Sequence, residues 1–167
     1  YSSAASDVYK RQDHKWVDIT PKEILGMVEE RFRSSLPNKI RFVVRHESDI
    51  DEIYTCPTLV VDALSTFIGN ARDAIGKRRG SIEVFATQVE ETTQDGDREI
   101  FVRFLVLDTG GGLKVKNPKL PGSTTKKGHQ GEGLTNSEAN ALYLGGKMDL
   151  QDRADEKSGC VGFLDIP

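Results

Sequence analysis

Thr66, Asn70 and Asp73 stand four and three residues apart inside a strongly apolar run, so on a helix they share one face. A buried amide or carboxylate without a partner costs about 1 to 3 kcal/mol, so that face must reach solvent or meet a ligand, a metal ion or water. In LVLDTGGGL a hydrophobic run delivers Asp108 and stops at Gly110, Gly111 and Gly112. Glycines there let the backbone turn sharply and approach a ligand closely, while the carboxylate can accept a hydrogen bond from an amino group. A plain Asp-Gly turn is the simpler alternative. In GHQGEGL, residues 128–134, glycines open a helical pattern. Helix N-termini present unpaired N–H groups and partial positive charge. Thr124, Thr125, Lys126 and Lys127 stand just before and add hydroxyls and cations, which together suit a phosphate. The spacing does not fit the dinucleotide fingerprint, whose glycines directly follow the first strand of a βαβ unit.

These residues need elements to hold them. Thr20, Pro21 and Glu23 form a capping-box start. It predicts a helix over residues 20–35 that buries Ile24, Leu25, Val28 and Phe32. Residues 39–45 alternate Ile40, Phe42 and Val44 against Arg41, Val43 and Arg45, a strand with one buried face. Residues 58–75 carry apolar side chains at steps of one, three and four and predict the strongest helix, closed by Gly76 and Gly80. Residues 81–88 and 99–107 read as an antiparallel hairpin across the polar ETTQDGDR. Residues 110–131 lack any period and predict a long, mobile lid. A helix over 134–144 and strands over 147–151 and 160–166 complete the pattern. The first twelve residues, YSSAASDVYKRQ, resemble a translated cloning adaptor and are set apart from the domain expected over residues 13–167.

At 167 residues, 37% hydrophobic and 29% charged, the chain suits one soluble domain with its own core. A net charge of −3 without a basic block argues against a nucleic-acid partner, and no apolar run approaches a membrane span, so no membrane contact is expected. Cys56 and Cys160 lie outside any metal-ligand spacing and read as reduced thiols of a cytoplasmic domain.

Taken in order, NARDAI (residues 70–75), DTGGG (108–112), TTKK (124–127) and GEGL (131–134) resemble the N box, first glycine box, lid and second glycine box of the GHKL ATPase superfamily. The chain is most similar to the ATP-binding catalytic domain of bacterial sensor histidine kinases, with a lid like that of the nitrogen-regulator type, over about residues 16–167. The resemblance implies an α+β two-layer sandwich, helices over one face of a mixed, mostly antiparallel sheet, with a long ATP lid. It implies ATP and Mg²⁺ as ligands, with Asn70 giving a side-chain oxygen to the metal and Asp108 binding the adenine amino group. Gly110 and Gly112 would line the adenine side. Gly131, Gly133 and the N–H of Leu134 would approach the phosphates, and Lys126 or Lys127 with Thr124 or Thr125 would close over them. Asp73 takes a supporting role. The implied reaction passes the γ-phosphoryl group to a histidine on a separate dimerisation domain and then to a response regulator, in the cytoplasm or on the cytoplasmic side of a membrane receptor.

The chain departs from that pattern in two places. Thr66 stands where hydrolysing members carry Glu and many kinases carry an amide, His or Glu, and a hydroxyl whose pKa lies far above neutral cannot act as general base. Autonomous ATP hydrolysis is therefore expected to be weak. The last strand reads GCVGFLDIP where small hydroxyl residues are usual, which puts adenine contacts from Cys160 or Val161 in doubt. None of His14, His46 and His129 has the paired long helices of a phosphoacceptor, and His46 reads as a surface histidine after a strand. The rival readings are a degenerate nucleotide-binding module, an anti-sigma-type serine kinase of the same fold, and a structural domain whose glycines only make turns.

Overall fold

The computed structural model describes residues 14–46, 49–110, 132–153 and 159–167, with backbone alone for 132–135. Residues 1–13 and the rest of the expected lid beyond Gly110, residues 111–131, lie outside it.

Among the described residues seven strands and three helices follow one another: β1 (Val17–Ile19), α1 (Pro21–Phe32), β2 (Ile40–Val44), β3 (Ile53–Thr55), α2 (Pro57–Ile75), β4 (Gly80–Thr92), β5 (Arg98–Asp108), α3 (Glu132–Tyr143), β6 (Lys147–Asp152) and β7 (Cys160–Ile166). Five strands make one mixed sheet in the order β2-β4-β5-β7-β6, with β2 parallel to β4 and the other neighbours antiparallel. β1 and β3 form a separate two-stranded antiparallel sheet. The helices cover one face of the large sheet, α1 against β4, α2 against β4, β5 and β7, and α3 against β6 and β7. This is the α+β sandwich expected from the sequence. Among the described residues no helix is long and apolar enough to cross a membrane.

The capping box at α1 is formed: Glu23 N–H donates to Thr20 Oγ1 at 3.2 Å and Thr20 N–H donates to Glu23 Oε2 at 2.9 Å. Ile24, Leu25 and Val28 are fully buried. The helix stops at Phe32, short of the expected residue 35, because the chain tightens into an i to i−3 bond from Ser35 N–H to the Phe32 carbonyl ahead of Pro37.

α2 starts at Pro57, which suits a first turn that needs no N–H, and ends at Gly76 with φ +62°. Arg78 donates to the carbonyls of Ala74 (3.1 Å) and Ile75 (3.3 Å), satisfying last-turn acceptors. Its apolar stripe from Leu59 to Ile75 forms the centre of the core with Ile82, Val84, Phe104, Val106, Leu164 and Ile166.

The β4–β5 hairpin is longer than the expected strands, running from the pair Ile82 and Asp108 out to Thr92 and Arg98. Beyond Val89 the added residues of β4 are Glu90, Glu91 and Thr92, which show no hydrophobic period, and the Arg98–Glu90 ion pair (3.1 Å) spans this end. β1 and β3 were not expected at all. At three residues each they are too short to show alternation.

Candidate nucleotide site

Along β5 the side chains of Val102, Phe104 and Val106 point into the core, and the same period of two turns Asp108 toward the helices at the strand's end. The residue is 5% exposed. Its Oδ1 accepts hydrogen bonds from the N–H of Gly110 at 2.7 Å and of Cys160 at 3.4 Å. Among the described residues no hydrogen bond reaches Oδ2. Burial pushes the carboxyl pKa above its usual range, while the N–H groups of Gly110 and Cys160 and the charge of Arg153 pull it back.

Gly110 lies against α2. A β carbon there would sit 2.7 Å from Ala74 Cβ and 2.9 Å from Asp108 Oδ1, so glycine alone lets this turn rest on the helix. Ala74 is one helical turn beyond Asn70, so the helix that carries Asn70 lies against the strand-end turn. The start of β4 pins the same turn. Ser81 N–H donates to Thr109 Oγ1 at 2.9 Å, and Thr109 N–H donates to the Ser81 carbonyl at 3.2 Å.

Three residues not singled out as site residues close the far side. Gly159, at φ +138°, brings its backbone against the Asp108 carbonyl, where any β carbon would collide. Arg153 Nη1 donates to that same carbonyl at 3.2 Å. Cys160 offers its N–H to the carboxylate, and burial with the nearby charges of Asp108 and Asp152 pushes its thiol up to about 12. The thiol is therefore neutral, and the contact to Asp108 is a backbone one that a side-chain comparison does not reveal. No local period signals these residues, since they lie 45 to 52 positions from Asp108.

The polar face of α2 divides by exposure. Thr66 is half-buried and its hydroxyl donates to the Asp62 carbonyl at 3.2 Å. Asn70 is half-buried. Asp73 is exposed and pairs with Arg72 at 3.4 Å. Among the described residues no three His, Cys, Asp or Glu side chains gather to hold a metal ion. Gly133 and Leu134 fall in the first turn of α3, whereas Gly112, Thr124, Thr125, Lys126, Lys127 and Gly131 lie outside the described residues. His46, half-buried after β2, places Nε2 3.3 Å from Glu29 Oε2.

No protein family matches the chain by sequence, and no curated protein does. Solved structures match it by fold. The catalytic domain of histidine kinase ThkA superposes with a TM-score of 0.71 at 22% identity, covering 92% of this chain and 95% of that one. The chain has the fold of histidine-kinase catalytic domains. Full-length ShkA in complex with AMPPNP gives a TM-score of 0.72 at 20% identity over 92% of this chain and 31% of that one. ThkA in complex with the response regulator TrrA gives 0.70 at 17% identity, over 98% and 46%. The chain thus spans less than half of these two longer kinases.

Proposed function

We propose that the chain is the ATP-binding catalytic domain of a two-component sensor histidine kinase, moving the γ-phosphoryl group of Mg·ATP to a histidine on a separate dimerisation domain. The observation that carries this reading is Asp108. A carboxylate held at the end of a buried strand, with one oxygen fixed by backbone N–H groups and the other without a hydrogen bond among the described residues, is an acceptor for an exocyclic amino group. The side-chain-poor wall of Gly110 and Ala74 beside it suits a flat base. The phosphates then extend toward the start of α3, since a helix N-terminus offers N–H groups that have no acceptor within the helix, with Gly131, Gly133 and the N–H of Leu134 beneath them. Gly112 lines the base, and Lys126, Lys127, Thr124 and Thr125 close over the phosphate tail. Asn70 would give one oxygen to Mg²⁺, which takes the rest of its shell from phosphates and water and so needs no cluster of acids. When bound, the metal neutralises charge developing on the transferred group.

Transfer to histidine needs no general base at position 66, because the imidazole nitrogen is itself the nucleophile: the N–P bond forms as the bond to the ADP oxygen breaks. Hydrolysis of ATP by water does need activation, and the Thr66 hydroxyl is both too weak a base and bonded to its own helix. A phosphorylated dimerisation domain would then donate to an aspartate of a response regulator in the cytoplasm.

Thr66 also favours a second reading, a nucleotide-binding module that has lost transfer. Calorimetric titration with Mg·ATP, followed by addition of the parent's helical histidine domain and labelled ATP, separates the two. Binding with acid-labile label on the helical domain is the expected result. Binding without transfer selects the second reading, and no binding overturns both.

A further inference from the structure

The β5 to β7 ladder ends at the pair Leu107 and Val161, so Asp108 is the first residue beyond it. Its carbonyl is taken instead by Arg153, from the connection between β6 and β7. Arg153 is tied there by its own backbone, whose N–H donates to the Gly159 carbonyl at 3.2 Å. A β carbon on Gly159 would meet the Asp108 carbonyl and, at 3.1 Å, Arg153 Cδ, so the arginine reaches the strand end through the space that glycine leaves. One cation thus lies at the end of the strand that presents the half-satisfied carboxylate.

We propose that Arg153 is a positioning residue for the nucleotide base, fixing the end of β5 by the Asp108 carbonyl and placing its positive charge beside the adjacent carboxylate that accepts the base's amino group. The proposal rests on the reading that Asp108 binds the base. Among the described residues, the other groups near Asp108 do not supply that charge. On β7 the Cys160 thiol is neutral, and Asp152, in register with Cys160 at the end of β6, is of the wrong sign. On α2 the apolar Ala74 makes the contact, Arg72 pairs with Asp73, and Arg78 is turned onto the helix's last carbonyls. On β4 the partner of Asp108 is the apolar Ile82, and Glu83 is paired with Arg45. Burial opposes ionisation of Asp108, the N–H groups of Gly110 and Cys160 favour it, and the charge of Arg153 adds to them.

The test is the Kd for Mg·ADP between pH 5 and 8 for the full chain and for Arg153→Met, Arg153→Lys and Asp108→Asn, each expressed relative to the parent so that titration of the nucleotide cancels. Melting curves at each pH report folding. Arg153→Met is expected to bind within about twofold of the parent at pH 8 and roughly tenfold more weakly on the acid side, because its carboxylate protonates earlier. Arg153→Lys, which keeps the charge, stays close to the parent throughout. A loss in Arg153→Met that is uniform with pH, or no loss while Asp108→Asn binds poorly, overturns the role of Arg153 and leaves the base site standing. Parental affinity in Asp108→Asn overturns the base site and this proposal with it.

Discussion

Replacement of Gly110 by alanine tests the join between helix and strand end on which the site depends. The added methyl would lie 2.7 Å from Ala74 Cβ, 2.9 Å from Asp108 Oδ1 and 3.1 Å from the Ala74 carbonyl carbon. Carbon atoms in good contact stand about 3.5 to 4.0 Å apart, so the turn must retreat by about 1 Å. Two of the three neighbours are a methyl on the helix and helix backbone, neither of which can rotate away. Overpacking of this kind costs about 1 to 3 kcal/mol. For a domain of this size each kcal/mol lowers Tm by roughly 2 to 4 °C, which gives a drop of about 2 to 12 °C.

Ala74→Gly removes the worst contact, at about 1 kcal/mol for glycine in a helix. The double variant should therefore be more stable than the sum of the single losses by about 1 kcal/mol or more, whereas independent sites add within about 0.5 kcal/mol. Urea and thermal unfolding followed by circular dichroism read the cycle. Strict additivity, or an unchanged Tm in Gly110→Ala, would refute the contact between the two motifs.

Three further outcomes follow from the same geometry. Asp108 has a raised folded pKa, so its contribution to stability is fully present below the ordinary aspartate range and is lost as pH rises through the folded value. Asp108→Asn without nucleotide should hence be at least as stable as the parent at pH 7.5, with the difference closing toward pH 4; a lower Tm at pH 7.5 would contradict the assignment. Asn70→Ala should leave ADP affinity in EDTA unchanged and abolish the gain on adding Mg²⁺, and an undiminished gain in a calorimetric titration would remove Asn70 from the metal. Asp165, fully buried and held by Arg103 through two bonds of 2.7 and 2.8 Å, should cost about 1 to 3 kcal/mol on truncation to alanine, because two charge-assisted bonds are lost while the partly exposed guanidinium keeps Glu91 at 4.0 Å. Urea unfolding checks this, and a loss below about 1 kcal/mol would show that water replaces the carboxylate.

How much of this was legible in the sequence depended on distance along the chain. The core face of α2 follows from a local period of 3.6 and the capping box of α1 from the residue types at its start, and both stand where the sequence puts them; the inward turn of Asp108 needs the strand to run one residue past the expected end. Gly110 could be read because a strand that ends in glycines must turn there. β1 and β3 escaped notice because three residues cannot show a period, and the parallel pairing of β2 with β4 leaves no mark on either strand. Cys160 was legible only as a side chain that breaks a pattern, whereas its contact to Asp108 is made by an N–H that every residue but proline carries. Arg153 and Gly159 reach the site through a register set by the whole sheet.

The proposed function places a purine base between α2 and the end of β5. A crystal structure of the chain grown with Mg·AMPPNP tests it most directly. The exocyclic amino group should lie within hydrogen-bond distance of Asp108 Oδ2, the ring against Gly110 and Ala74, and the metal beside Asn70. A nucleotide seated elsewhere, with Asp108 facing only protein, would contradict it.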